Sequence, residues 1–153
     1  MAMDQHGETM KNQIEALLRV ISVARTYRED KVPNQIEEGL YLGSIGAANN
    51  RNILKSFNIT HILTVAGSLR PSHPNDFVYK IVPAKKQGGG VLVHCFVGRS
   101  RSVTVVVAYL MKKHGMTLSQ ALQHVKSKRP VASPNAGFIK QLEELEKLLL
   151  GKQ

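Results

Sequence analysis

The spacing of apolar residues changes period several times along the chain, and each change predicts a different element. Ile14, Leu17, Leu18, Ile21 and Ala24 fall at the i, i+3, i+4, i+7 spacing of an amphipathic helix over residues 10 to 28. From Ile36 the pattern turns strand-like, with Leu40-Tyr41-Leu42 closed by Gly43, then helical from Ala47 to Phe57, then a buried-strand run from His61 to Val65. After a polar loop with Pro71 and Pro74, Phe77 to Val82 predicts another strand, and Val91-Leu92-Val93-His94 a further one. Three helices are expected next. The first runs from about Arg101 to Lys113 and stops at Gly115, a good residue beyond a helix end. The second opens at Thr117 with Gln120 three positions later, a capping box, and stops before Pro130. The third opens at Ser133-Pro134 and carries Phe138, Leu142, Leu145 and Leu149 on one face. Strands alternating with helices predict an α/β domain over residues 31–150, preceded by a helix over 1–30.

Charge changes the picture of that first helix. Lys11, Arg19, Arg25 and Arg28 make it basic, so it either docks on its own domain or suits an acidic, apolar groove of the calmodulin kind through residues 10–28. The whole chain has 21 Lys and Arg against 11 Asp and Glu, a formal charge of +10, which favours anionic partners. Almost no aromatic residues interleave with the basic ones and no zinc-ligand spacing occurs, so nucleic acid is not the expected partner and no metal site is expected. Val103 to Met111, the longest apolar run, is about half of what a membrane span requires. Residues 1–10 lack the apolar stretch of a secretory signal, and the single cysteine cannot form an internal disulfide. The expectation is an intracellular protein, of the cytoplasm or nucleus.

The chemistry lies at the junction between the last strand and the helix after it, in His94-Cys95-Phe96-Val97-Gly98-Arg99-Ser100-Arg101-Ser102. A strand, a tight loop and a helix N-terminus in that order turn the backbone N–H groups of Phe96 to Arg101 into one concavity, at the positive end of the helix dipole. Such a cradle binds an oxyanion. A thiol at its start feels the same field, which holds Cys95 as thiolate below the free value of about 8.5 and makes it a nucleophile. Arg101, six residues on, can fold its planar fork over two phosphate oxygens. Gly98 permits the turn, Ser102 can hydrogen-bond the sulfur and stabilise it as a leaving group, and His94 is expected to fix the loop. The bland alternative is a buried small cysteine at a strand end.

This nine-residue loop resembles that of the protein-tyrosine phosphatase superfamily, and the flanking text is similar to its dual-specificity branch, in particular to plant members like MAP kinase phosphatases. Matching text includes Gly39-Leu40-Tyr41-Leu42-Gly43-Ser44, Ile59-Thr60-His61-Ile62-Leu63, Ala108-Tyr109-Leu110-Met111 and the run from Arg129 to Phe138. The resemblance implies a phosphatase-like central sheet flanked by helices, no cofactor, and phosphorylated protein substrates, with MAP kinases among the candidates. It implies attack by Cys95 on phosphorus, stabilisation of the transferring group by Arg101, and hydrolysis of a phosphocysteine by water. Asn135 is implied to brace the loop, the alternative being an ordinary first-turn residue of a helix.

The family carries an aspartate general acid on a loop after the strand matching Phe77 to Val82, then a helix before the cysteine strand. Here Val82 is followed by Pro83-Ala84-Lys85-Lys86-Gln87-Gly88-Gly89-Gly90, with no acid and no room for a helix, so the chain is expected to be shortened between 82 and 91 and to lack a general acid and a crossover helix. A parallel crossover usually needs a dozen or more residues. Eight extended residues reach roughly 27 Å, enough for a bare loop that leaves a sheet face partly uncovered. Asp76, placed before the strand and away from the cysteine loop, and His73 are weak substitutes. Three readings follow: a phosphatase impaired in this form, a phosphoprotein-binding module that turns over too slowly to matter, and a phosphoinositide or RNA-triphosphate phosphatase. Against the third, Phe96, Val97 and Ser100 add no charge and only Arg99 does.

Overall fold

The computed structural model describes residues 2–65 and 73–151, with the side chains of residues 2–4, 23, 26, 27 and 73–79 outside the description. Helix α1 (Ala2–Glu29) leads into β1 (Asn34–Glu37), β2 (Leu40–Gly43), the short helices α2 (Ile45–Ala48) and α3 (Arg51–Ser56), and β3 (Ile59–Thr64). Helix α4 (His73–Lys86), β4 (Gly90–His94), α5 (Arg101–His114), α6 (Leu118–Lys128) and α7 (Ala136–Leu150) complete the order. The strands lie in the sequence β1-β2-β4-β3, with β1 and β2 antiparallel and β4 parallel to both of its neighbours.

Strand β4 is buried at all five positions, as the uninterrupted apolar run from Val91 to Val93 demands of a strand covered on both faces. Helix α5 is buried from Ser102 to Met111, because α4, α6 and α7 pack around it and its remaining side faces β2 and β4. The most buried strand therefore runs straight into the most buried helix, and Cys95 sits in the turn between them. Gly115 ends α5 in the left-handed conformation, and Thr117 and Gln120 form the expected capping box of α6. The third helix starts at Ala136, with Asn135 and not Ser133 as its N-cap.

An α/β sheet flanked by helices is what the chain forms, but the segment before β4 departs from expectation in two ways. Phe77 to Val82 lies in α4 and is not a strand, and the crossover helix expected to be missing is present. Parallel pairing of β3 with β4 decides this, since the chain must return from the end of β3 to the start of β4 and a helix is the compact way to do so. Ile81 and Ala84 are buried, while Lys80 and Pro83 between and beside them are exposed, a helical period and not an alternating one. The segment's strand propensity yields to that closure, and Pro83 stands inside the helix. Among the described residues no strand lies beyond β3, and Ile62 on that edge strand is 49% exposed.

A side-chain clasp fixes α4 in place. Glu37 of β1 takes Lys85 Nζ at 2.5 Å and the Tyr109 hydroxyl at 2.9 Å on one carboxylate oxygen, and His114 Nε2 lies 2.7 Å from the other. Burial pushes Glu37 up, but hydrogen bonds from Lys85 and Tyr109 outweigh it and hold its carboxyl below the ordinary range. Burial likewise pushes Lys85 down, and its bond to Glu37 more than reverses that.

Helix α1 does not lay its apolar face on the domain. Ile14, Leu17, Leu18 and Ile21 are 46–59% exposed, and α1 meets the rest of the protein through its approach to α2. No helix among the described residues is long and apolar enough to cross a membrane.

Candidate active site

The cysteine loop is built from both ends inward. At its start, His94 ends β4 and is 8% exposed, with Nε2 2.8 Å from the Thr64 hydroxyl on β3 and Nδ1 3.4 Å from the Cys95 carbonyl. Burial keeps its imidazole below the usual histidine range, so it is neutral at physiological pH and suits loop support. At the far end Ser100 is the N-cap of α5, yet its side chain makes no cap hydrogen bond. The Ser100 hydroxyl accepts instead from the backbone N–H of Asn135 at 2.9 Å, which leaves the first-turn donors of α5 directed at the loop's interior.

Cys95 is 5% exposed at the floor of this turn. Its sulfur lies 3.1 Å from the Ser102 hydroxyl and accepts the Gly98 N–H at 3.2 Å. Burial pushes the thiol up, but the Ser102 hydroxyl and the backbone N–H groups of Ser102, Gly98 and Arg99 outweigh it, so the pKa is lowered. The bland reading, a cysteine packed as a small hydrophobe, does not supply four donors to one sulfur. Arg101 opens α5 half-buried, and Phe96 and Arg99 are exposed on the rim.

Gly98 has φ of +69°, and a Cβ there would stand 2.4 Å from the Gly43 carbonyl oxygen, so only glycine fits. The β2–α2 corner thus packs hard against the loop, and the Ile45 N–H donates to the Phe96 carbonyl at 3.0 Å. Asn135 braces the loop only through its backbone. Its side chain accepts from the Phe138 N–H at 2.9 Å as the N-cap of α7, and beside it the Ser133 N–H bonds the Arg99 carbonyl at 2.7 Å.

The residue that sequence reasoning did not single out is Arg129. It is 3% exposed and lies beneath the loop, donating from Nε to the Gly98 carbonyl at 2.7 Å and from an Nη to the Val97 carbonyl at 3.0 Å. Its other contacts reach Asp30 at 2.5 Å and Asn34 at 2.8 Å. One guanidinium so ties the cysteine loop to the chain just beyond α1. Its only sequence signal was a cation immediately before Pro130, in text that matched the family without any local reason.

The side chains of His73 and Asp76 lie outside the described residues. The ground for setting Asp76 aside was its place ahead of a strand, and that strand is absent. Helix α4 ends where Lys85 meets Glu37, near the start of β4, and therefore starts toward the carboxyl ends of β3 and β4, the end of the sheet that bears Cys95. Among the described residues no cluster of three or more His, Cys, Asp or Glu side chains is placed to hold a metal.

Comparison with known proteins agrees with this geometry. Residues 72–148 match the family model described as dual specificity phosphatase, catalytic domain. Dual specificity protein phosphatase 1 of Arabidopsis thaliana is 66% identical over 166 residues, spanning 94% of this chain and 84% of that protein. That alignment is longer than the 153 residues of this chain, so the relative carries residues this chain lacks. MAP kinase phosphatase with leucine-rich repeats protein 3 of Dictyostelium discoideum is 36% identical over 88% of this chain and 17% of its own length. The crystal structure of human DUSP28 superposes with a TM-score of 0.72 at 31% identity, covering 77% of this chain and 95% of that one.

Proposed function

Because this chain belongs to the dual specificity phosphatase family, and is a protein phosphatase in that sense, we propose that it hydrolyses phosphotyrosine and phosphoserine or phosphothreonine through a phosphocysteine, slowly in this form. The observation that carries the chemistry is the lowered Cys95 thiol, held by the Ser102 hydroxyl and loop N–H groups at the mouth of α5. Cys95 Sγ attacks phosphorus and the S–P bond forms as the bond to the ester oxygen breaks. Loop N–H groups and the Arg101 guanidinium take the charge on the three equatorial oxygens. Water then displaces the sulfur, which leaves as a thiolate stabilised by the Ser102 hydroxyl.

The slow step is departure of the ester oxygen. Residues 83–90 contain no acid to protonate it, and a positioned general acid contributes about 10²–10⁴ in rate. The test is kcat against leaving-group pKa for a series of aryl phosphates. A steep negative dependence is expected, with activated phenols cleaved, phosphotyrosine slowed and phosphoserine nearly inert. A flat dependence would show that Asp76, His73 or another group donates the proton and that the form is not impaired.

Phosphorylated MAP kinases are candidate substrates, in keeping with the name of the Dictyostelium relative. The exposed basic stretch 10–28 suits the acidic groove of calmodulin, since Ile14, Leu18 and Ile21 are available as anchors. A peptide of those residues giving no calcium-dependent heat with calmodulin would remove that partner. The compartment we propose is the cytoplasm or nucleus. A phosphoprotein-binding role is the second reading, favoured by the same missing acid, and it requires that Cys95→Ser bind phosphopeptide as tightly as wild type while wild-type turnover stays negligible.

A further inference from the structure

Strand β3 is the open edge of the sheet, and its free main-chain groups can be identified from its pairing with β4. The Val65 N–H donates to the His94 carbonyl at 2.8 Å, and Leu63 and His61 keep the same phase in the parallel register, opposite Val93 and Val91. Ile62 and Thr64 therefore direct both N–H and C=O away from β4, as does the carbonyl of Thr60. The register irregularity of the strand lies before His61 and leaves this phase untouched. Among the described residues no strand meets these groups, and Phe77 to Val82, whose composition favours a strand, lies in α4. The devices that usually blunt such an edge are missing. Ile59–Thr64 holds no Pro, Lys, Arg, Asp or Glu, and the ring nitrogens of His61 lie against the Thr60 hydroxyl and the Gln87 side chain. Thr60, Ile62 and Thr64 share one face and are all exposed, a set that reads the same from either end.

We propose that β3 pairs antiparallel with β3 of a second copy of this chain, about a two-fold axis at Ile62. In that register Ile62 faces Ile62 of the second copy and the two exchange a pair of main-chain hydrogen bonds. The Thr64 N–H of each copy also reaches the Thr60 carbonyl of the other. On the exposed face Ile meets Ile and each Thr meets a Thr, cross-strand pairs that stabilise a sheet. The four strands of one copy continue into the four of the other, in the order β1-β2-β4-β3-β3-β4-β2-β1. Two observations favour a second copy over an unrelated strand. The outward set Thr60, Ile62 and Thr64 is self-complementary, as a two-fold contact requires. Two chains of formal charge +10 repel each other, yet this edge is a segment without Lys or Arg, so they can meet there with no like charges face to face. The contact is small, six residues a side against roughly 20–30 in a standard interface, so the dimer is weak and forms with rising concentration. Because β4 runs parallel to β3, the two Cys95 loops open at opposite ends of the joined sheet and neither covers the other.

Sedimentation of the full chain between about 5 and 500 µM should show its mass rising from one chain toward two, and rising further at high salt as the net repulsion is screened. Ile62→Lys, which sets like charges face to face at the axis, should keep the protein monomeric over that range, whereas Ile62→Val should retain the dimer. A melt of each variant checks that these substitutions at a half-exposed side chain leave the fold intact. The register is read by oxidation in a Cys95→Ser background. A hydrogen-bonded antiparallel pair sets its Cα atoms about 5.5 Å apart, within disulfide reach, so Ile62→Cys should cross-link into a dimer. Thr60→Cys lies about 14 Å from its own counterpart in this register, so it should not cross-link with itself and should do so when mixed with Thr64→Cys. A chain that stays monomeric throughout, a dimer that persists in Ile62→Lys, or Thr60→Cys cross-linking with itself as readily as Ile62→Cys would each overturn the proposal. A dimer lost through Leu17→Lys on the exposed face of α1, and not through Ile62→Lys, would place the contact on that helix and overturn it as well.

Discussion

Replacing Pro83 by alanine separates the helical crossover from the strand that local sequence favours. Pro83 stands inside α4, exposed, so its ring contributes little packing. Within a helix it withholds the N–H that would bond the carbonyl four residues back, and its ring crowds that carbonyl, at a cost of about 3 kcal/mol relative to alanine. Alanine also frees the unfolded chain, which returns about 0.4–1 kcal/mol of that gain. The net expectation is a stabilisation of about 2 kcal/mol. For a chain of 153 residues each kcal/mol moves Tm by roughly 2–4 °C, so Pro83→Ala should melt about 4–8 °C above wild type. If residues 77–82 were instead a strand and Pro83 began a loop, only the unfolded-state effect would remain and Tm would fall slightly. The two structures thus predict opposite signs. Circular dichroism melts of both proteins decide between them, and an unchanged or lowered Tm would refute the crossover helix.

Three further outcomes follow from the site and the clasp. Iodoacetate should alkylate Cys95 faster than a free thiol at pH 6–7, because the Ser102 hydroxyl and loop N–H groups lower its pKa, and vanadate should protect it. Alkylation at the free-thiol rate, without protection, would dismiss the lowered thiol. Arg129→Ala leaves the Gly98 and Val97 carbonyls and Asp30 without their partner, so it should cost about 3 kcal/mol in urea unfolding and abolish vanadate protection of Cys95; a stability within about 0.5 kcal/mol of wild type would deny its bracing role. Glu37→Gln should lose about 1–2 kcal/mol at pH 7. Because the Glu37 carboxyl is held below its ordinary range, its contribution is present above the unfolded carboxylate value of about 4.3 and fades as pH drops through the lower folded value. The stability gap between wild type and this variant should therefore close from about pH 5 downward, and also at alkaline pH once Lys85, raised by the same contact, deprotonates; a gap independent of pH would remove the clasp.

The geometry of the cysteine loop, with its thiol among hydrogen-bond donors and a helix behind it, was legible in the sequence because its determinants are local. Nine consecutive residues hold the thiol, the loop N–H groups, Gly98 and Arg101, and the chain direction from strand to helix fixes where those groups point. The capping box of α6 and the apolar runs of β4 and α5 are local for the same reason, each written within a dozen residues. Asn135 was less legible: the local pattern put the cap two residues early, at Ser133, and the bond from the Asn135 backbone to Ser100 spans 35 residues. Arg129 and Asp30 are 99 residues apart, and Glu37 and His114 are 77 apart, so no window of sequence joins them. The segment from Phe77 to Val82 shows the limit most clearly. Its β-rich composition is a modest preference, of the order of 1 kcal/mol, whereas parallel pairing of β3 and β4 obliges the intervening chain to cross the sheet, bury Ile81 and Ala84 against the core and hand Lys85 to Glu37. Sequence alone determined the make-up and turn of the loop; the tertiary structure decided how the rest of the chain closes around it, because the energy of closure is held by contacts between residues that sequence keeps far apart.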